Sequence, residues 1–313
     1  IEIKTVIGKD SFNQNTNIVH DHALTKDDLE NIKRKYGFST EKFNVDEKVL
    51  EKYRKDINKR VSKSYQLWCE YHEAMAKYPN EEIKKLVAFA DNKDISYSLN
   101  GDAFKIQNSY QEEMTESNNK IMNIIADKTP YFLGGASDMA SSCRVNLNKE
   151  AYFTTKNYLG RNISFGVREG AMSGILSGMA TYGFRTFGAT YLRYAYSELE
   201  GIKMSGLMGL PVTYIFTHDG FNESRNGEVQ SSFEVLNILR SIPGVTVYRP
   251  SDINEIIGSW SSILELKQPA CLVLSNEITH ILKGTKASEV KKGAYIIREA
   301  KKLSGTIISI LIK

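Results

Sequence analysis

Short runs that are apolar almost throughout alternate with helix-length segments from Asn118 to Glu277, and this alternation restricts the fold more than any other feature of the chain. A helix through Ile121, Ile124 and Ile125 leads into YFLGG. There follow NISFG, a small-residue helix from Glu169, FRTFGAT, a helix from Tyr191, PVTYIFTHD, a helix near Ser232 to Ile242, VTVYRP, a helix from Asp252 and ACLVLS. Strands covered on both faces lose the polar–apolar alternation of a half-exposed sheet, and the helices between them return the chain to the same end of the sheet. The pattern predicts an α/β fold: a parallel sheet flanked by helices on both faces.

A mainly helical segment precedes it. Ile1 opens into IEIKTVIG, which reads as a strand, and the polar loop SFNQNTNIVHDHAL follows. Thr25 with Asp28 three residues on forms a capping-box pattern, and Gly37 is a natural stop. From residue 46 to 78, Leu50, Tyr53, Ile57, Val61, Tyr65, Trp68, His72 and Met75 keep helical spacing until Pro79. Lys48 to Lys63 holds seven Lys/Arg against two acids; the pattern reads as a solvated face, with a phosphate-binding stripe as the alternative. Residues 1–80 thus read as one module, 81–117 as a linker or crossover, 118–290 as the parallel-sheet module and 291–313 as the start of a third. With no initiator Met, the chain reads as a piece of a longer protein.

The charge balance, 41 Lys and Arg against 37 Asp and Glu, leaves +4. So small an excess argues against a nucleic-acid partner, and no apolar stretch approaches the ~18 residues of a membrane span. Cys69, Cys143 and Cys271 are odd in number, far apart and without metal spacing, as in a reduced cytoplasmic protein.

Glu169 follows a strand end and starts a helix, where open α/β sheets place ligands; an acid complementing the helix dipole is the competing reading. Gly170, Gly174 and Gly178 recur at four-residue spacing on that helix. Such a face weakens a helix by about 1 kcal/mol per glycine, so it reads as a surface for close packing, a subunit interface included. His218 and Asp219 end another strand, and the histidine suits acid–base work or a structural hydrogen bond. His20 and His22 form His-x-His without a third ligand in view, so no metal site is assigned.

Seven runs in order resemble transketolase, a thiamine-diphosphate enzyme: KTVIG…QNTNIVH, FLGGASDM, GRNISFGVREGAM, FGATYLRY, LPVTYIFTHD, SIPGVTVYRPSDINE and LVLSNE. The resemblance covers Lys4 to Glu277 and implies the thiamine-diphosphate-binding fold, with residues 1–80 as the tail of the diphosphate-binding module and 118–290 as the pyrimidine-binding module. It implies transfer of a two-carbon ketol unit between sugars or sugar phosphates, in pentose phosphate metabolism, by a cytoplasmic homodimer whose active site lies at the subunit interface. It assigns Glu169 to the aminopyrimidine ring, where a carboxyl sharing a proton helps remove the thiazolium C2 proton. By the same resemblance, Asp138, Tyr191 and Tyr194 bind the cofactor, His218 is catalytic, and His20, Ser142 and Gln230 contact substrate. The accompanying Mg²⁺ or Ca²⁺ is expected on a Gly-Asp-Gly…Asn stretch that these 313 residues lack, so this chain alone is not expected to be active.

The departures concern substrate. Gly170 replaces the His of the family's Arg-Glu-His, Ser197 stands where a third aromatic is expected, Asn226 replaces an Asp, and Gln230 replaces a His. The two arginines that clamp sugar phosphate have Thr115 or Glu116 and Asn276 in their places. Two further readings stay open: a related thiamine-diphosphate enzyme with a non-phosphorylated substrate, and a catalytically silent scaffold or regulatory subunit.

Overall fold

The computed structural model describes residues 2–90, 110–220 and 232–299. The chain divides into two compact units, Ile1–Val87 and Ala88–Lys313.

The first unit is helical. It contains α1 (Ile18–Asp21), α2 (Lys26–Lys35), α3 (Glu47–Lys77) and the greater part of α4 (Glu81–Ala90). Thr25 caps α2 by accepting from the Asp28 amide. Asp28 does not complete the reciprocal box. Its buried carboxylate accepts from the Ser11 hydroxyl at 2.7 Å and the Phe12 amide at 3.0 Å, tying the preceding loop to the helix. Asp46 starts α3 by accepting from the Lys48 and Val49 amides. The strand expected at the start does not form: residues 2–6 have no regular structure. A strand needs a neighbour's backbone groups, and the first unit contains no strand among its described residues. No residue of α3 is buried, so its aromatic face is not a core of this chain.

The second unit contains β1 (Gln111–Glu113), α5 (Met114–Lys128), β2 (Phe132–Ala136), α6 (Ala140–Cys143), β3 (Asn162–Ser164), α7 (Glu169–Tyr182), β4 (Arg185–Tyr191), α8 (Leu199–Met208), β5 (Val212–Thr217), α9 (Val235–Arg240), β6 (Thr246–Tyr248), α10 (Ile253–Glu265), β7 (Ala270–Val273) and β8 (Ile278–His280). Six strands form a parallel sheet in the order β3-β2-β4-β5-β7-β6, and β1 pairs antiparallel with β8 outside it. The helix expected from Tyr191 is a 3-10 turn, Leu192–Glu198, before α8 begins. Of the segment read as a linker, 81–90 is helix, 110–117 carries β1 and the start of α5, and 91–109 lies outside the described residues, as does TIISILIK.

Alternate residues of β5 and β7 enter opposite apolar layers, which is why these runs are apolar nearly throughout. Ile215, Leu272 and Leu274 join Ile121, Phe132, Phe187 and Trp260 on one face; Tyr214, Phe216, Cys271 and Val273 join Met172, Leu176 and Ile202 on the other. Gly134 and Gly135 let β2 approach its two neighbours: a Cβ would fall 1.9 Å from the Phe187 carbonyl oxygen on β4 in one case and 1.8 Å from that of Ile163 on β3 in the other. Asp252 caps α10 through the Glu255 amide. Its other oxygen accepts from the Leu282 amide at 2.9 Å and the Thr285 hydroxyl at 2.6 Å, fixing the chain beyond β8.

Candidate active site

From β2 the chain steps outward to β3, then crosses back over β2 to β4 and continues the other way. The carboxyl ends of β2 and β4 therefore border a topological switch point, the place where open α/β sheets hold ligands. Ser137 follows β2 there, and its amide donates to the Ala189 carbonyl at 3.1 Å. Its hydroxyl lies 3.4 Å from Thr190 Oγ1, which lies 3.4 Å from Glu169 Oε1.

Glu169 is the first residue of α7 and only 7% exposed. The turn before it relies on Gly166 at φ +73°, and Gly166 donates to the Ser137 carbonyl at 3.0 Å. The Thr190 contact is long for an O–H···O bond, so Glu169 retains acceptor capacity. Tyr191, at the end of β4, stacks on Tyr194 with centroids 6.2 Å apart and on His218 at 3.8 Å. His218 follows β5 in the left-handed region at φ +62°, and its Nδ1 lies 2.9 Å from Thr217 Oγ1. Thr217 Oγ1 in turn lies 3.2 Å from Cys143 Sγ. The strand ends around the switch point thus carry a buried acid, aromatic faces and an imidazole.

Of the other residues expected here, Asp138 is exposed just after β2. Ser142 lies on α6, its hydroxyl donating to the Met139 carbonyl at 3.2 Å. His20 is an exposed residue of α1 in the first unit. Gln230 and Asn226 lie outside the described residues. Thr115 is buried, and Glu116 pairs with Arg144 at 2.7 Å. Gly170 differs from its helix partners: a Cβ there would sit 2.9 Å from the Ser197 carbonyl oxygen, whereas at Gly174 and Gly178 it would meet open space.

Sequence reasoning missed three residues. Thr190 and Ser137 look like ordinary strand-end hydroxyls, and only the parallel register brings them beside Glu169. Glu198, in SELE, has the look of a solvated acid but is 1% exposed. No group of three or more His, Cys, Asp or Glu that could hold a metal occurs among the described residues.

Residues 1–97 match the family model for the transketolase thiamine diphosphate binding domain, and residues 111–280 match that for the transketolase pyrimidine binding domain. A probable transketolase of Streptococcus pneumoniae is 34% identical over 306 residues, 96% of this chain and 46% of the relative. The transketolase of Bacillus subtilis is 31% identical over 309 residues, with the same shares of 96% and 46%. The solved transketolase from Leishmania mexicana has a TM-score of 0.82 at 28% identity, covering 95% of this chain and 45% of that one. A Pichia stipitis transketolase in complex with sedoheptulose-7-phosphate has a TM-score of 0.81 at 27% identity, covering 96% and 46%. The chain spans about half the length of the curated relatives it matches.

Proposed function

The chain belongs to the transketolase family, and from that premise we propose that Glu169 is the acid which engages the aminopyrimidine ring of thiamine diphosphate in the transfer of a two-carbon ketol unit between sugars. The observation that carries this reading is a buried carboxylate against Thr190 at the switch point, with the stacked rings of Tyr191, Tyr194 and His218 at the ends of the same strand β4 and its neighbour β5. The residues present fit such a ring. Glu169 has one long internal contact and lone pairs left for a ring N–H, and Tyr191 and Tyr194 offer aromatic faces. Thiamine diphosphate, when bound, supplies the electron sink that carbon–carbon bond cleavage requires.

In this reading Glu169 holds or shares a proton with the ring nitrogen, and its dry surroundings favour sharing over full transfer. His218, held by Thr217 and Tyr191, presents a nitrogen for substrate hydroxyls or acid–base work. Asp138 borders the cofactor side of the crevice, while Ser142, His20 and Gln230 serve the substrate. A divalent cation, Mg²⁺ or Ca²⁺, accompanies the diphosphate, with its ligands expected on the Gly-Asp-Gly…Asn stretch that these 313 residues lack. A homodimer is part of the proposal. Gly174 and Gly178 leave α7 open to a second backbone, and Ile175 beside them is 49% exposed. An apolar hollow of about 750 Å³ with Leu159, Ile163 and Phe165 in its wall adjoins that face. We place the protein in the cytoplasm.

One observation favours a substrate without phosphate. Where a clamping arginine is expected, Thr115 is buried and Glu116 is committed to Arg144, itself also paired with Glu113 at 2.6 Å. Bidentate phosphate recognition needs an accessible guanidinium.

The test of the catalytic assignment is Glu169→Gln in the full-length protein. Calorimetry should find thiamine diphosphate binding largely intact, while hydrogen exchange at C2 slows by about 10²-fold or more. Exchange as fast as in wild type would overturn the assignment.

A further inference from the structure

Glu198 closes the 3-10 turn after β4 with a side chain 1% exposed, and neither of its carboxyl oxygens has a hydrogen-bond partner among the described residues. An ionised carboxylate in that state would carry an uncompensated desolvation penalty. The turn packs against the start of α7, where Gly170 leaves room for the Ser197 carbonyl, and a Cβ on Gly201 would fall 2.1 Å from Ser173 Oγ. Glu169 lies at that same helix start, also buried. Two acids therefore share one dry region on elements in direct contact.

We propose that Glu198 is a positioning residue for Glu169: a carboxyl that keeps its proton at neutral pH, so that the pair presents a single negative charge to the crevice. Burial, and secondarily the Glu169 charge, hold Glu198 well above the usual carboxylate range. Tyr214 on β5 and Cys271 on β7 are the titratable groups that a charge on Glu198 would reach from the sheet side, and burial pushes both up. The remaining charges on the packed elements have other engagements. Arg168 donates to the Phe165 carbonyl at 3.1 Å, the Arg193 guanidinium lies 4.9 Å from the Tyr194 ring centroid, and Glu234 accepts from the Tyr196 hydroxyl. Glu200, Lys203 and Arg240 are exposed. With both acids charged, repulsion would drive Glu169 from its place beside Thr190; with Glu198 neutral, Glu169 stays there. The value of this device to catalysis rests on the role proposed for Glu169, but the protonation state of the pair does not.

The test follows the protonated-carboxyl infrared band of the full-length protein, without cofactor, through a pH titration of wild type, Glu198→Gln and Glu169→Gln. The band should persist at neutral pH in wild type and be missing in Glu198→Gln. In Glu169→Gln it should titrate away at a pH lower by on the order of one unit, because the like charge is gone. A wild type without the band at neutral pH, or a Glu198→Gln protein that keeps it, overturns the neutral acid. An unchanged midpoint in Glu169→Gln overturns the coupling and leaves a merely structural side chain. If Glu198→Gln does not fold, the wild-type and Glu169→Gln titrations decide both points. Calorimetry of wild type with thiamine diphosphate and Mg²⁺ is read separately: no binding would remove the functional reading of Glu169 while the titration result stood.

Discussion

Tyr191 and His218 lie face to face, with ring centroids 3.8 Å apart and planes inclined by 30°. The contact joins the ends of β4 and β5 across the parallel register that pairs Tyr191 with Thr217. His218 reaches it by adopting φ +62°, a conformation that disfavours any residue carrying a Cβ. Such a conformation persists when the surroundings over-determine it, and it is found at functional sites.

That backbone state is testable. His218→Ala keeps the Cβ without the ring contacts, whereas His218→Gly removes both. The alanine variant should be less stable than the glycine variant by about 1 kcal/mol. Urea unfolding of the two proteins measures the difference, and equal stabilities would show that the left-handed conformation is not retained.

Substrate preference gives a second expectation. Thr115 is too buried to accept an arginine, but Asn276 is partly exposed. Asn276→Arg should lower KM for a phosphorylated ketose by about tenfold, equivalent to ~1.4 kcal/mol, and change that for its unphosphorylated analogue little. Full-length wild-type protein that already used a ketose phosphate with ordinary efficiency would contradict the reading of a lost clamp.

Acid sensitivity should trace to Glu150 and Arg161, which pair at 2.6 Å. Arg161 holds the Glu150 carboxyl below its ordinary range. A carboxylate depressed in the folded state adds stability above its unfolded pKa, and that stability is lost as pH falls through the folded value. Glu150→Gln should therefore cost about 1–2 kcal/mol at neutral pH. Its deficit against wild type should begin to shrink below the ordinary carboxylate pKa and disappear below the depressed one. A deficit independent of pH in thermal unfolding would exclude the charge as its cause.

The thiols should separate by reactivity. Burial pushes Cys143 up to about 12 and raises Cys271 as well, whereas Cys69 on α3 is partly exposed. With its thiolate depleted by roughly three orders of magnitude relative to a free cysteine, Cys143 should resist alkylation in the native protein. Mass spectrometry after iodoacetamide treatment should find Cys69 modified first. Rapid native labelling of Cys143 would mean that the core beside Thr217 opens readily.

Much of the architecture was legible from local pattern. The runs at 132–136, 185–191 and 212–217 read as covered strands because their residues are buried nearly throughout, and 212–217 sends alternate residues into two apolar layers. Thr25 announced a helix start because a short acceptor side chain can reach the first free amides, and Asp46 and Asp252 cap their helices in the same way. The sequence by itself therefore determined the parallel α/β fold, the family and the position of Glu169 at a helix start. It could not determine the opening strand, which needs a neighbour, nor the 3-10 turn after Tyr191, whose form depends on packing against α7. Tertiary structure alone decided which face each side chain meets. Glu169, Thr190 and Ser137 come together through strand register and crossover direction, and Glu198 becomes a buried acid because Gly170 and Gly201 let the turn settle onto α7. Periodicity is a property of neighbours in sequence; burial and charge coupling belong to neighbours in space.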